Sequence, residues 1–227
     1  YHSCCMITVS FLPATRAPFR QPSGSSRSAK SPGCAATRAE SGGKKSAKSV
    51  DMPEFEQFNL DSDIEIITPQ LEKIQFTNSG GALLRRPDKL HAHRVGGYAD
   101  VEMFYDGKTT SVYGRHVNGY ARFEAPGSID DLIHALREGH GVALPGADLL
   151  LTNAYEVLAE DIQEAKHIGR GVIDGVECEH LAFRNFDTDW QLWVALGAQP
   201  IPRKMVITSK TLNSAPQYTL QVKEWKT

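Results

Sequence analysis

A chain of 227 residues with 41% apolar and 23% charged residues has the make-up of a globular protein, long enough for one ordinary domain plus a tail or for two small domains. Its formal charge of −2 conceals a split: residues 1–50 carry eight Lys and Arg against one acid, a net of +7, while the remaining 177 carry 17 bases and 26 acids, a net of −9. An acidic folded part argues against a nucleic-acid partner, because neutralising phosphates requires a basic face, and no apolar run approaches the length of a transmembrane segment.

Residues 1–53 read as a disordered basic tail. They show almost no hydrophobic periodicity, are rich in Ser, Ala, Gly, Arg and Lys, and offer too little apolar surface to offset the entropy of ordering. Met6–Leu12 (MITVSFL) is too short for the core of a secretory signal, and no small-residue cleavage motif follows it. The Arg- and Ser-rich, acid-poor composition also matches an organellar transit peptide. Of the cysteines Cys4, Cys5, Cys34 and Cys178, only the last falls in the expected domain, and none has metal-type or redox-type spacing. A disulfide framework within the domain is therefore excluded.

From residue 54 onward, period-two alternation dominates. The first candidate strands are Asp63–Thr68, Leu71–Asn78, Ala82–Arg86 and Lys89–Val95. In Asp100–Tyr105, Val101, Met103 and Tyr105 point one way, and Asp100, Glu102 and Phe104 the other. Asp106-Gly107 is read as a tight hairpin turn with both central residues at positive φ, leading into Lys108–Tyr113. Asn118-Gly119 opens Tyr120–Glu124. A second Asp-Gly turn at Asp174-Gly175 joins Lys166–Ile173 to Val176–Arg184. Beyond it, Trp190, Leu192 and Val194 share a face, as do Met205 and Ile207, and Tyr218, Leu220 and Val222.

Helical signal is confined to the middle. Ser128 is placed to cap a helix whose first turn holds Asp130 and Asp131 and whose apolar stripe is Ile129, Leu132, Ile133 and Leu136. A second short helix follows Pro145 or Thr152. The expected fold is mainly β (α+β): a curved antiparallel sheet or incomplete β-barrel of about ten strands, with one or two helices covering its concave face.

The candidate apolar lining of that face is Val101, Met103, Tyr105, Trp190, Leu192, Val194, Met205 and Ile207. Core packing and a ligand cavity read alike at these positions. Trp190 and Trp193 fall on opposite faces. His91 and His93 share a strand face with Asp100 and Glu102 on the next strand, which is either a metal-like ligand set or a solvated face of weak pairs; the reading adopted is no metal and no cofactor. Cys178 and His180 point the same way, but side chains at i and i+2 stand roughly 6–7 Å apart, too far for direct proton transfer, so Cys178 reads as a buried thiol. Asp187 and Asp189 read as a turn, and Gly139-His140-Gly141 as a helix stop. No catalytic residue is assigned.

Seven stretches together resemble the predicted periplasmic protein family labelled domain of unknown function 2092. They are Lys73–Ser79 (KIQFTNS), Arg85–Leu90 (RRPDKL), Phe104–Thr109 (FYDGKT), Leu144–Leu150 (LPGADLL), Gly175–Arg184 (GVECEHLAFR), Asp189–Trp193 (DWQLW) and Pro202–Thr208 (PRKMVIT). The resemblance runs from Phe55 to Trp225. It implies the fold group of the bacterial lipoprotein localisation carriers (LolA/LolB-like), in which an incomplete barrel wraps acyl chains under helices, and it implies a periplasmic location. Organellar and cytoplasmic placements are the alternatives where no export signal is legible. The function expected is non-enzymatic binding or carriage of an acyl chain, lipid or lipidated protein, with encounter of a membrane surface. The alternatives are a structural or protein-interaction module with a closed core, and an enzyme using the same cavity. The family's pattern continues past the last strand read here, so Tyr218–Trp225 is expected to lie at an open sheet edge.

Overall fold

The computed structural model describes residues 55–97, 99–198 and 200–226, so the tail expected over residues 1–53 lies outside the described residues. The strands are β1 (Phe55–Ile67), β2 (Lys73–Arg85), β3 (Lys89–Gly96), β4 (Ala99–Tyr105), β5 (Thr109–Gly114) and β6 (Gly119–Glu124), then β7 (Glu164–Ile173), β8 (Val176–Arg184), β9 (Thr188–Ala195), β10 (Pro202–Ser209) and β11 (Gln217–Lys226). All eleven form one curved, open sheet in the order β6-β5-β4-β3-β2-β1-β11-β10-β9-β8-β7, with antiparallel pairing throughout the register. The chain thus starts at the centre, meanders to one edge, crosses to the opposite edge, and meanders back until β11 closes on β1.

This order corrects the expectation for Tyr218–Trp225. That segment pairs with β1 on one side and β10 on the other, and the sheet edges are β6 and β7. The eleven strands agree with the expected number of about ten, but Leu71–Asn78 and Ala82–Arg86, read as two strands, are one strand of 13 residues. Ser79-Gly80-Gly81 looks like a break in sequence, yet it keeps both ladders. A Cβ at Gly80 would sit 2.4 Å from the His93 carbonyl oxygen, and one at Gly81 2.8 Å from that of Phe58. Only glycines let neighbouring strands come this close, and such positions bend a sheet.

The two Asp-Gly turns differ. Asp174 and Gly175 both take positive φ (49° and 78°), as a primed hairpin turn requires. At Asp106-Gly107 only Gly107 is positive, at 88°. Asp106 instead accepts from the backbone N–H groups of Lys108 (2.9 Å) and Thr109 (2.7 Å), making the turn with its side chain.

Between β6 and β7 lie α1 (Ile129–His134), extended by a π-helical turn over Ala135–Gly139, then a 3-10 turn over Ala147–Leu150 and α2 (Ala154–Ala159). The start of α1 is well specified. Ser128 Oγ accepts from the Asp131 N–H, and the Asp131 carboxylate accepts from the Ser128 N–H, forming a reciprocal capping box. Those hydrogen bonds, the one from the Ser128 backbone foremost, hold the Asp131 carboxyl below its ordinary value. Ile129, Leu132, Ile133 and Leu136 are buried against Phe58, Leu84, Leu90 and Tyr105 of the sheet. Each such side chain contributes about 1.5–3 kcal/mol when fully removed from water.

Tyr105 locks this arrangement. Its ring lies in the core, and its hydroxyl stands 2.8 Å from the carbonyl oxygens of both Ala125 and Gly127 at the entry to α1. Burial pushes the phenol above its ordinary value. Tyr105→Phe keeps the shape but strands these buried acceptors, so urea unfolding should show a loss of about 1–3 kcal/mol. An unchanged midpoint and slope would mean that the hydroxyl does not hold the entry to α1.

Candidate functional site

Residues directly opposite in a ladder share a face, so the register decides which candidate side chains converge. On one side, Tyr105 pairs with Leu90 and Leu90 with Leu84; Met103 pairs with Ala92 and Ala92 with Ala82; Val101 pairs with Arg94 and Arg94 with Gly80. Gly80 and Ala82 in turn pair with Leu60 and Phe58 of β1. From the other side, Leu192 pairs with Met205 and Met205 with Leu220, while Trp190 pairs with Ile207 and Ile207 with Tyr218. Leu220 and Tyr218 meet Ser62 and Ile64 of the same β1 face. Val194 lies two residues beyond Leu192, opposite Pro202 across a bulge. All eight candidate residues therefore lie on one sheet face, the face that the helical crossover covers.

They form two patches there. Tyr105 and Met103 belong to the cluster under α1, together with Val142, Leu144 and Leu150 of the crossover. Trp190 and Met205 are buried in a second cluster with Tyr218 and Leu220, against which Leu192, Ile207, Leu149, Leu158 and Ile162 pack. Leu60 touches both clusters. Val101 and Val194 belong to neither and are half-buried. Tyr105, at 4% exposed, Trp190, at 6%, and Met205, at 2%, are closed off by the crossover, whereas Val101, Met103, Leu192, Val194 and Ile207 keep partial access to solvent.

Some contributors escaped sequence reasoning. Phe183 stacks on Trp190 at 4.0 Å between ring centroids, and Leu181 pairs with Leu192. Strand β8 hid them because both of its faces carry apolar groups: Cys178, of opposite parity, is fully buried. The pair Glu56–Arg86 was also missed. Arg86 Nε donates to Glu56 Oε1 at 2.9 Å, with side-chain exposures of 12% and 5%, and its Nη1 donates to the Leu150 carbonyl at 2.9 Å. Arg137 binds Asp148 (2.7 Å) and the Leu144 carbonyl (3.0 Å), and Thr152 hydrogen-bonds Asp130. These ties fasten the crossover to the sheet and to itself.

The remaining candidates lie on the opposite face. His91 Nε2 is 2.9 Å from Glu102 Oε1, and Arg115 binds the other Glu102 oxygen at 2.6 Å. These two partners, His91 first, hold the Glu102 carboxyl below its ordinary value. Among the described residues, no group of three His, Cys, Asp or Glu side chains converges as a metal site. The Cys178 thiol is turned to the Val176 carbonyl, while His180 stacks on Trp193 at 4.0 Å and meets Gln191 at 2.9 Å. Asp189 pairs with Arg184 at 3.1 Å.

Two variants check these assignments. Arg86→Met leaves Glu56 buried and unpaired, so it should cost about 3–5 kcal/mol by chemical denaturation and speed amide exchange at Leu150 and Leu151. Burial also raises the Cys178 thiol above its ordinary 9.0. In a Cys4→Ser/Cys5→Ser/Cys34→Ser background, iodoacetamide should therefore modify folded protein far more slowly than a free thiol at the same pH, with the rate recovering in denaturant.

The family described as "Predicted periplasmic protein (DUF2092)" matches residues 48–227. Among curated protein sequences none matches this chain. Solved structures show remote likeness. An uncharacterized conserved protein of Thermus thermophilus has a TM-score of 0.44 at 10% identity, covering 76% of this chain and 77% of its own. The Mycobacterium tuberculosis lipoprotein LppX has a TM-score of 0.45 at 15% identity, covering 74% and 85%. A LolA superfamily protein of Nitrosomonas europaea has a TM-score of 0.32 at 13% identity, covering 77% and 87%. The family match spans the whole described sheet, and the chain belongs to the predicted periplasmic protein family DUF2092.

Proposed function

We propose that this domain binds an apolar ligand (an acyl chain, a lipid or a lipidated protein) between its covered sheet face and the helical crossover, without catalysing a reaction. The observation that carries this reading is the register. Residues from β4, β9 and β10, far apart in sequence, fall on one face as an apolar surface that the crossover covers but does not seal. Met103, Leu192 and Ile207 remain partly accessible at its margin.

The crossover is uneven, which supports entry from one side. The α1 end is capped, buried and tied to Tyr105. The α2 end has no side-chain cap, no fully buried residue, and Tyr155 81% exposed. Segments with few buried contacts open locally at low cost. Ligand entry is therefore placed over β9 and β10, beneath α2, where Met205 and Leu158 would part.

The energetics allow it. Each buried methylene contributes about 0.8 kcal/mol, so a chain of about fourteen offers up to about 11 kcal/mol. After several kcal/mol are lost to immobilisation, micromolar affinity remains within reach. A second reading has its own support: Tyr105, Trp190 and Met205 are closed off, as a packed interaction module would have them.

Titration of delipidated protein with a fluorescent fatty acid separates the two. Saturable binding is expected, weakened about tenfold or more by Leu192→Asp or Met103→Glu and little by Val95→Lys on the opposite face. Each variant is first checked for cooperative unfolding. A well-folded, lipid-free protein with no saturable binding would favour the packed module instead.

A further inference from the structure

The opposite face holds a feature that the covered-face reading does not use. A depression of about 420 Å³ opens over β1–β6, floored by the exposed side chains of Phe55, Leu83 and Phe104. Its volume falls within the range of small-molecule sites. The His91 ring stacks on Phe104 at 4.4 Å and 6° between planes, giving part of the floor a flat aromatic wall.

The rim is cationic. Arg85, Lys89 and Arg122 line it, with Asp106 as the single acid. This is unexpected in a segment whose net charge is −9 over residues 51–227. Arg85 and Lys89 are direct cross-strand partners, and like charges placed opposite one another destabilise a ladder. Local acids relieve this arrangement only on the Lys89 side. Lys89 is engaged by Asp88 at 3.3 Å and by the Asp106 carbonyl. The Asp106 carboxylate is occupied by the backbone N–H groups of Lys108 and Thr109. Among the described residues neither Arg85 nor Arg122 makes an ion pair. Asp106 offsets part of the Arg122 charge, yet three cations face one acid around an aromatic and aliphatic floor.

We infer that this depression is a second binding site, for a small amphiphile with a carboxylate head and an apolar body. The body lies along the cross-strand row Leu83, His91 and Phe104, and the head meets Arg122, whose planar fork matches a carboxylate, at the end of that row, while Arg85 adds positive charge from β2. Charge complementarity sets the choice of an anion. The limited volume of the depression, about 420 Å³, favours a discrete molecule over an extended membrane surface. The site is separate from the covered face, since Leu83, His91 and Phe104 have the opposite strand parity to Leu84, Leu90 and Tyr105.

The test is calorimetric titration of the full chain with monomeric dodecanoate and with dodecyltrimethylammonium, which has the same chain and the opposite charge. Amide shifts are mapped by NMR in parallel. Dodecanoate should shift Leu83, His91 and Phe104, and the Arg85→Gln/Arg122→Gln variant should lose about tenfold or more of that affinity. The same variant should leave the cation's affinity unchanged or raised. Because both arginines are exposed, an unaltered melting curve confirms that the comparison is between folded proteins. Dodecanoate shifts confined to Met103, Leu192 and Ile207 would overturn the second site while leaving the covered-face reading intact. Equal affinity for both amphiphiles would overturn it too. So would a response to phosphatidylglycerol vesicles with none to dodecanoate, which would make the patch a membrane-docking surface.

Discussion

The connection from β6 to β7 dominates this architecture. Both meanders grow outward from the β1–β11 pair, so two strands consecutive in sequence finish at opposite edges of the sheet. Ten strand spacings amount to about 48 Å along the sheet. No turn bridges such a distance, and a connection that crosses a sheet must either leave its backbone polar groups to water or fold them into helices. The chain does the latter with α1, the 3-10 turn and α2. The face they cross thereby becomes the buried one, and its alternating apolar residues follow.

One consequence is that cover and groove are a single topological event. The residues proposed to hold a ligand are the same ones that stabilise the crossover when no ligand is present. Tyr105, Leu84 and Leu90 hold α1 in place, while Trp190, Met205 and Tyr218 meet the less anchored segment around Leu158. In the proposed binding mode, the apolar surface of a ligand would take the place of the helical cover. Arg86–Glu56 and the α1 capping box would then limit that replacement toward β4.

The opposite face follows different physics. Over β7–β11 its prominent groups are paired: Trp193 lies between His180 and Lys204, and Asp174 binds Gln221 and Lys223. Over β1–β6 it leaves Phe55, Leu83 and Phe104 exposed beside Arg85 and Arg122, neither of which makes an ion pair within 4.0 Å among the described residues.

Local patterning was enough for much of this. Period two in Val101–Tyr105, Trp190–Val194 and Met205–Ile207 determined which side chains share a strand face, because alternate Cβ atoms point to opposite sides whatever the partner strand. Ser128 with Asp130 and Asp131 determined where the helix begins, since capping is satisfied within one turn. The seven family-like stretches were legible too, and the family match bears them out. Strand order was not legible, as the misplaced edge at Tyr218–Trp225 shows: edge or centre depends on what pairs on each side, a long-range fact. Nor could Gly80-Gly81 be told from a break, because glycine's value there lies in the approach of His93 and Phe58. Glu56–Arg86 and Arg85–Lys89 depend equally on register. Only the tertiary structure decided that β4, β9 and β10 present their apolar residues to one covered face, since faces are matched through ladders and ladders join residues more than a hundred positions apart.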